Sequence, residues 1–340
     1  MSRETPLLAR YAESLFWMAR YLERVENLAR LLDVTETFES PGREAESWLG
    51  MVRINADEQG FAARHDKPTA EAVKHFYLLD HTNPTGIPAS LEAARTNART
   101  LRPLISTEMW MQVNVFHRDM VAITPMELRG DRLSRLCARI KEGVQTHTGI
   151  TEGTFFRDQG WFFYQLGRLI ERADQTTRLL DIRYHLLVPG IREGGGEARR
   201  VAELTQWGGV LRAAAGYHAF RRVAQPGFTP ADVVAFLLTD TAFPRSVGLC
   251  VDQMEWMLHQ LRSRYALRGT VAALERVEEL RAGVFGRAVD RIIADGLHDF
   301  LDRVQRDLIH IAGEIGTAFF RDWRPFAVAG QSQSQRQAAG

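Results

Sequence analysis

The chain has 340 residues, 45% of them hydrophobic, and its 43 basic and 42 acidic residues leave a net charge of +1. This length and composition allow one large domain or two ordinary ones with a real core, which argues against global disorder. The near-zero charge argues against a dedicated nucleic-acid or anionic-membrane binder. Because no apolar run reaches bilayer-spanning length and residues 1–10 lack a signal-peptide core, we expect a cytoplasmic protein without membrane contact.

Helical patterns dominate the chain from its beginning. Thr5 followed by Pro6 is typical of a helix start, and apolar residues then recur every three or four positions for about 30 residues. A break at 40–42 ends this first helix. Further helices are predicted at residues 45–64, 69–79 and 89–100, with others up to residue 149. Residues 124–131 are predicted to form a loop, and no stretch alternates as a β-strand does.

The second half of the chain repeats the first. Residues 168–181 match residues 20–33 at seven of fourteen positions. Further matches follow in the same order in both halves, among them Trp48 with Trp207, Ala56 with Ala215, Phe76 with Phe236, Pro84 with Pro244, and FFRD at 155–158 with FFRD at 319–322. This period is too long for a solenoid, so a tandem duplication of two helical bundles is the better interpretation.

We therefore predict an all-α fold, an internally duplicated helical bundle with two pseudo-symmetric halves. Residues 1–158 are the first helical repeat unit and residues 159–328 are the second. The last segment, 329–340, is polar and of low complexity, and we predict that it is disordered. A Gly-rich stretch at 189–200 is predicted to connect elements within the second unit.

The repeated block carries an Arg-Glu-Arg motif on one helix face. Arg20, Glu23 and Arg24 form it in the first copy, and the second copy has Arg168, Glu171 and Arg172. Paired arginines held by a glutamate can bind a carboxylate or phosphate, and the glutamates could act as a catalytic acid or base. Alternatively, reciprocal Arg–Glu pairs across the pseudo-twofold axis would fix the register of two helices without any chemistry.

A second basic face is found in one half only. Arg95 and Arg99 lie one turn apart on a predicted helix, with Asn97 nearby, whereas the matching positions of the second half are Glu255, Met257 and His259. A purely symmetric scaffold does not need this difference, so it favours a ligand site in the first half. A solvated basic face is the alternative. The residues 83–85 just upstream could cap a helix N-terminus, where anions bind.

Other chemistry has weaker support in the sequence. Asp307, His310 and Glu314 could share a helix face and bind a metal, but no Glu-x-x-His pair recurs in both halves. Neither a P-loop, a dinucleotide-binding glycine motif nor a nucleophile elbow is present. We therefore predict no metal and no cofactor. Cys137 has no evident His partner and is expected to be a core thiol.

Several long motifs together resemble the bacterial alpha-E family, an all-helical domain with a Glu-Arg motif. They are LARYAESLFWMARYLERVENLARLLD, NPTGIPASLEAARTNARTLR, STEMWMQVN and RDQGWFFYQLGRLIERADQTTRLLDIRYH. The resemblance covers nearly the whole chain. Its motif positions fall here on Glu13, Arg20, Glu23, Arg24, Arg30, Asn83, Arg95, Asn97, Arg99, Trp110, Asn114, Asp158, Trp161, Arg168, Glu171, Arg172, Asp174 and Arg178.

The resemblance implies a context rather than a reaction. Members of the family occur beside, or fused to, circularly permuted ATP-grasp ligases, and also near transglutaminase-like peptidases and a proteasome-related peptidase. This implies a partner protein in peptide or amide-bond formation that binds an acidic or amino-acid-like substrate. The residues expected to bind it are Arg20, Arg24, Arg95, Asn97, Arg99, Arg168, Arg172 and Trp161. Glu23 and Glu171 would orient these arginines, or would be catalytic if the chain is itself an enzyme of transfer or hydrolysis. A scaffold that docks ligase and peptidase is the third alternative.

Overall fold

Two long helices lie at the centre of the chain, α1 (Ala9–Thr37) and α8 (Gln159–Gly190). The structure is a computed structural model that describes residues 7–37, 44–190, 197–224 and 228–321. The predicted helix start at Thr5 and the predicted tail at 329–340 lie outside these residues, as do residues 191–196 of the predicted connector. The predicted length of the first helix is close to the 29 residues of α1.

Each central helix begins a series of seven α-helices in the described part of the chain. The first series continues with α2 (Glu44–Ile54), α3 (Glu58–Ala62), α4 (Ala70–Leu78), α5 (Ile87–Thr100), α6 (Thr107–Val121) and α7 (Asp131–Thr154). The second continues with α9 (Glu197–Ala213), α10 (Tyr217–Val223), α11 (Pro230–Thr239), α12 (Val247–Tyr265), α13 (Val271–Phe285) and α14 (Val289–Phe319). Short 3₁₀ turns occupy Pro125–Leu128 and Arg268–Thr270. The described residues contain no β-strand, so the all-α prediction is confirmed.

The packing follows the same order in both series. Helix α1 packs against α8, and also against α5 and α7, while α8 packs against α12 and α14. Helices α6 and α13 cover the outer sides of these two groups. A repeated helix order and repeated neighbours are what a duplication predicts; the duplication itself stays a prediction.

The two central helices run parallel and touch closely. Leu7 donates to Gln159, and Arg24 donates to Glu171, so contacting residues are separated by a nearly constant 147 to 152 positions. At the crossing, a Cβ atom on Gly167 would lie 2.1 Å from the carbonyl oxygen of Phe16. Only glycine allows the two backbones to approach this closely. Almost every residue of α1 from Ala12 to Thr35 is buried, because neighbours surround it on all sides.

The single helix predicted at 45–64 is wrong, because the chain breaks between α2 and α3. Ala56 has φ +55°, in the left-handed region, and the Asn55 side chain donates to the carbonyl oxygen of Met51. Ala215 adopts φ +58° at the matching place after α9. The break was not visible in the sequence, since neither glycine nor proline marks it. The predicted loop at 124–131 contains a 3₁₀ turn closed by a capping box.

The other predicted boundaries agree with the structure. Helix α4 begins after Thr69, whose hydroxyl accepts from the backbone N–H of Ala72. Helix α5 ends at Thr100, three residues before Pro103. Among the described helices, none has the length and apolar character needed to cross a membrane.

Candidate functional site: buried ion pairs between the central helices

The Glu171 carboxylate of α8 binds two arginines of α1. Arg20 donates through Nε to Oε2 at 2.8 Å, and Arg24 donates through Nε to Oε1 at 2.7 Å and through Nη2 to Oε2 at 3.2 Å. All three side chains are almost completely buried. Both carboxylate oxygens of Glu171 therefore accept charge-assisted hydrogen bonds.

The Glu23 carboxylate of α1 is bound in the reverse direction. Arg172 of α8 donates through Nε and Nη2 to its two oxygens, at 3.0 and 2.8 Å. A second arginine, Arg245, donates through Nη1 to Glu23 Oε1 at 2.7 Å and to Asn27 Oδ1 at 2.8 Å. Its Nη2 lies 2.9 Å from Glu26 Oε2. The pairing is therefore reciprocal, with each helix giving a glutamate to the arginines of the other half.

These ion pairs keep both glutamates charged. Burial alone raises the pKa of Glu23, but attraction to Arg172 and Arg245 outweighs it and lowers the pKa to about 2. Burial likewise opposes ionisation of Glu171, and the arginines at 24 and 20 lower its pKa to about 2. At neutral pH both side chains are anions with their oxygens occupied, a state that suits fixed structure better than proton transfer.

Arg245 was missed in the sequence because it has no counterpart arginine. It precedes α12, next to Pro244, and the match of Pro84 with Pro244 puts it opposite Thr85. The signal available in the sequence was an arginine directly after a matched proline, at a position where the first half has Thr85. Its side chain crosses from the second half to α1, 222 positions away from Glu23 in sequence.

Arg245 replaces Arg168 at Glu23, and this leaves Arg168 only loosely held. The counterpart of Arg168 is Arg20, which binds Glu171 directly. Arg168 instead lies 3.8 Å from the half-exposed Glu152, and its Nε is buried with no hydrogen-bond partner among the described residues. The second copy of the motif therefore differs from the first in one arginine.

Two further polar groups without a partner lie on the same face of α8. They are Nε1 of Trp161 and Oε1 of Gln165, on residues that are 8% and 1% exposed. The spacing of seven residues from Trp161 to Arg168 places these groups along two helical turns. The Gln165 amide donates to Glu152 Oε1 at 3.2 Å, and the Arg157 guanidinium lies over the Trp161 ring. Trp161, Gln165 and Arg168 of α8, together with Glu152 of α7, are called the Arg168 strip.

The other predicted binding residues lie on a different face. Arg95 donates through Nε to Asn114 Oδ1 of α6 at 2.9 Å, and Arg99 is exposed on α5. Asn97 is buried, and its spacing of two residues from Arg95 and from Arg99 puts it on another face of α5. The structure thus brings together Arg20, Arg24 and Arg172 with both glutamates, whereas Arg95 and Arg99 face α6 and solvent.

The predicted anion site at 83–85 has its polar groups occupied by the chain itself. The amide of Asn83 donates to the carbonyl oxygen of Phe76, and its Oδ1 accepts from the backbone N–H of Thr85. Helix α5 begins at Ile87, and its N-cap residue, Gly86, has no side chain that could cap it. Residues 83–85 build a closed turn that leaves little for an anion to bind.

Metal-ligating groups come together at one surface position in the described residues. Ligand atoms of Glu255, His259 and Glu278 lie within 4.8 Å of one another on α12 and α13. Arg281 competes for this cluster, because its Nε lies 3.2 Å from Glu255 Oε2 and 2.7 Å from Asp252 Oδ1. The group is mostly exposed and includes the cation of Arg281, so it resembles a surface ion-pair network more than a metal centre.

Comparison with known proteins finds relatives whose function is also uncharacterized. Three uncharacterized proteins, one of Mycobacterium bovis and two from strains of Mycobacterium tuberculosis, are each 26% identical over 311 residues. The match covers 85% of this chain and 34% of each relative, so the chain spans about a third of the length of these curated relatives. No solved structure matches the chain.

A family model described as a predicted alpha-helical domain with a conserved ER motif, Alpha-E, matches residues 7–320. Consecutive Glu-Arg residues in this sequence include Glu23–Arg24 and Glu171–Arg172, and these four side chains form the reciprocal ion pairs between α1 and α8. The match covers both central helices and the helices packed on them, and the chain therefore belongs to the Alpha-E family.

Proposed function

We propose that the chain is a cytoplasmic, non-catalytic helical partner of an ATP-grasp ligase in peptide or amide-bond formation. It binds an acidic or amino-acid-like substrate at the Arg168 strip of α8, and a transglutaminase-like peptidase is a further partner. The observation that carries the binding role is the release of Arg168 from the ion pairs that hold its counterpart Arg20.

The strip has the chemistry that an amino-acid-like ligand needs. A carboxylate can accept hydrogen bonds from the Arg168 guanidinium and from the Trp161 indole N–H, which have donors without partners. An ammonium or amide N–H can donate to Gln165 Oε1 and to the half-exposed Glu152. A buried polar group without a partner costs free energy, and a ligand that satisfies it recovers that cost.

The paired motifs support a structural role rather than catalysis. Arg20, Arg24 and Arg172 are each engaged with a buried glutamate. Removing any of them to bind substrate would leave a charge uncompensated in the interior. Glu23 and Glu171 are also poor bases, because their pKa values are lowered to about 2. These residues are better suited to holding α1 and α8 in one register.

The length of the relatives supports the role as a partner. Each curated relative extends well beyond the matched segment, which is 34% of its length. In those proteins the helical domain is therefore covalently joined to other sequence. A helical domain that is joined to other sequence in its relatives suits a function carried out next to another protein.

The binding role is tested by calorimetry with a short glutamate-containing peptide. Arg168→Gln should weaken binding at least about tenfold, the effect of about 1.4 kcal/mol, with little change in melting temperature. Trp161→Phe keeps the ring and removes the N–H, so it should weaken binding as well. Arg118→Gln is the matched control, since Arg118 is an arginine of α6 with a 76% exposed side chain.

The partner role is tested by co-expression with an ATP-grasp ligase of the same genome. We expect the two proteins to co-elute in size-exclusion chromatography, and Arg168→Gln to leave that complex intact. Peptide affinity that is equal in wild type and Arg168→Gln would refute the binding site. Separate elution of the two proteins at all concentrations would refute the partnership.

A further inference from the structure

One position between the two halves is filled by an arginine on one side only. Arg245 donates to Glu23, to Asn27 Oδ1 and to Glu26 Oε2. Its counterpart in the first half is Thr85, which is too short to reach across in the same way. The Thr85 hydroxyl lies 2.6 Å from Asp57 Oδ2 and 2.7 Å from Asn83 Oδ1, so it is already engaged within its own half.

Two of the three acceptors that correspond to those of Arg245 lack a partner among the described residues, while the third, Glu171, is held by Arg20 and Arg24. Asp174 is the counterpart of Glu26, and Gln175 is the counterpart of Asn27. Oδ1 of Asp174 and Oε1 of Gln175 have no hydrogen-bond partner among the described residues, although the two residues are only 8% and 7% exposed. Asp174 otherwise follows the pattern of its counterpart in the first half, since Arg178 binds Asp174 Oδ2 as Arg30 binds Glu26.

The first half also has a buried carboxylate, attracted by Arg24 and Arg178, that has no counterpart in the second half. Asp57 follows the matched Ala56, and the residue that follows Ala215 is Gly216. Burial raises the pKa of Asp57 to about 6, despite hydrogen bonds from Thr85 and Tyr77 and the attraction of Arg24 and Arg178. At these two matched positions, the first half therefore has Thr85 in place of an arginine and the buried carboxylate of Asp57 in place of a glycine.

We propose that a guanidinium-bearing ligand binds at Asp174 and Gln175 of the second half with Asp57 of the first half, in the position that corresponds by the repeat to the one that Arg245 fills. A guanidinium group has the planar fork of donors that pairs with a carboxylate and an amide oxygen together. Ligands of this class are free arginine derivatives and peptides that present an arginine side chain. The site is distinct from the Arg168 strip and does not depend on the proposed function.

The first test is a thermal-shift and calorimetric titration with agmatine, a small alkyl guanidinium. Wild type should show saturable stabilisation. Gln175→Met removes an unsatisfied acceptor, so the variant should fold at least as stably as wild type and lose the agmatine response. Asn27→Met is the matched control, since Asn27 Oδ1 accepts from Arg245 in the other half. It should lower the melting temperature and keep the agmatine response.

The second test moves the arginine between the halves. Thr85→Arg should supply the missing cation from within, raising the melting temperature and abolishing the agmatine response. Arg245→Thr should be destabilised and should be partly rescued by agmatine, which shows that the probe can enter such a position.

The outcomes separate a ligand site from a site satisfied by water. A wild type that shows no saturable response to agmatine overturns the proposal, whether or not Arg245→Thr is rescued. A response that is unchanged in both Gln175→Met and Thr85→Arg also overturns it, since the probe then binds elsewhere. If Thr85→Arg does not fold, Gln175→Met decides.

Discussion

Replacing Glu171 with Gln tests whether the reciprocal ion pairs hold the two halves together. The substitution keeps the size of the side chain and removes its charge. It leaves the guanidinium groups of Arg20 and Arg24, whose side chains are 3% and 2% exposed, without a counter-charge in the interior. Breaking a buried pair in this way is strongly destabilising.

Two independent arguments give the same magnitude. The pKa of Glu171 falls from 4.5 to about 2 on folding, and each unit corresponds to about 1.4 kcal/mol, so ionisation contributes about 3 kcal/mol. Removal of one partner from a buried ion pair generally costs about 3–5 kcal/mol. We therefore expect Glu171→Gln to lower the free energy of unfolding by about 3–5 kcal/mol at pH 7.

The assay is urea denaturation of wild type and variant at several pH values. Because the folded-state pKa is lowered, the contribution of Glu171 is fully present above its ordinary pKa of 4.5 and is lost as the pH falls towards about 2. The difference between wild type and Glu171→Gln should therefore be constant above about pH 5 and shrink below it. Asp302→Asn is the control, since its exposed pair with Arg306 should be worth less than about 1 kcal/mol.

Two results would refute this reasoning. The first is a loss below about 1 kcal/mol at pH 7, as expected for an exposed pair. The second is a loss that stays the same from pH 7 to pH 3, because the effect would then not come from the charge of Glu171.

Two further substitutions test packing and protonation. Gly167→Ala should lower the free energy of unfolding by about 1–3 kcal/mol or more, because the added Cβ would meet the Phe16 carbonyl oxygen. The control is Gly149→Ala on α7, where a Cβ would meet nothing, and it should raise stability by about 0.5–1 kcal/mol. Equal effects of the two variants in thermal denaturation would contradict the close helix crossing. Burial lowers the pKa of His147 to about 4 from its ordinary 6.5, so wild type should lose up to about 3 kcal/mol as the pH falls from 6.5 to 4. His147→Gln should remove that loss in urea denaturation at pH 7 and 4.5, and a retained loss would assign it to other groups.

The helical architecture could be predicted because it depends on local signals. The apolar spacing of α1, the cap at Thr69 and the proline after α5 act within a few residues of the elements they define. The break at Ala56 could not be predicted in this way. Neither neighbour is glycine or proline, so no residue type in the sequence marks the left-handed backbone at this position.

The candidate site could be predicted in its parts but not in its connections. Helical spacing put Arg20, Glu23 and Arg24 on one face, and the repeat made a reciprocal pairing one of the possible arrangements. The role of Arg245 and the release of Arg168 depend on a side chain that crosses between the halves. A contact of that kind leaves no periodic pattern in the sequence, and only the missing counterpart at Thr85 hints at it.

The reciprocal ion pairs also determine when this protein can complete its core during synthesis. The paired residues of α1 and α8 are 147 to 151 positions apart in the sequence, and Glu23 and Arg245 are 222 positions apart. A nascent first half therefore leaves the ribosome with Arg20 and Arg24 before the glutamate that neutralises them exists. Local helices form quickly, but these non-local contacts come late, so α1 lacks the partner helix that neutralises its buried arginines until α8 has been made. The fold is completed by the second half, and the rate of translation through α8 and α12 sets how long the first half remains open.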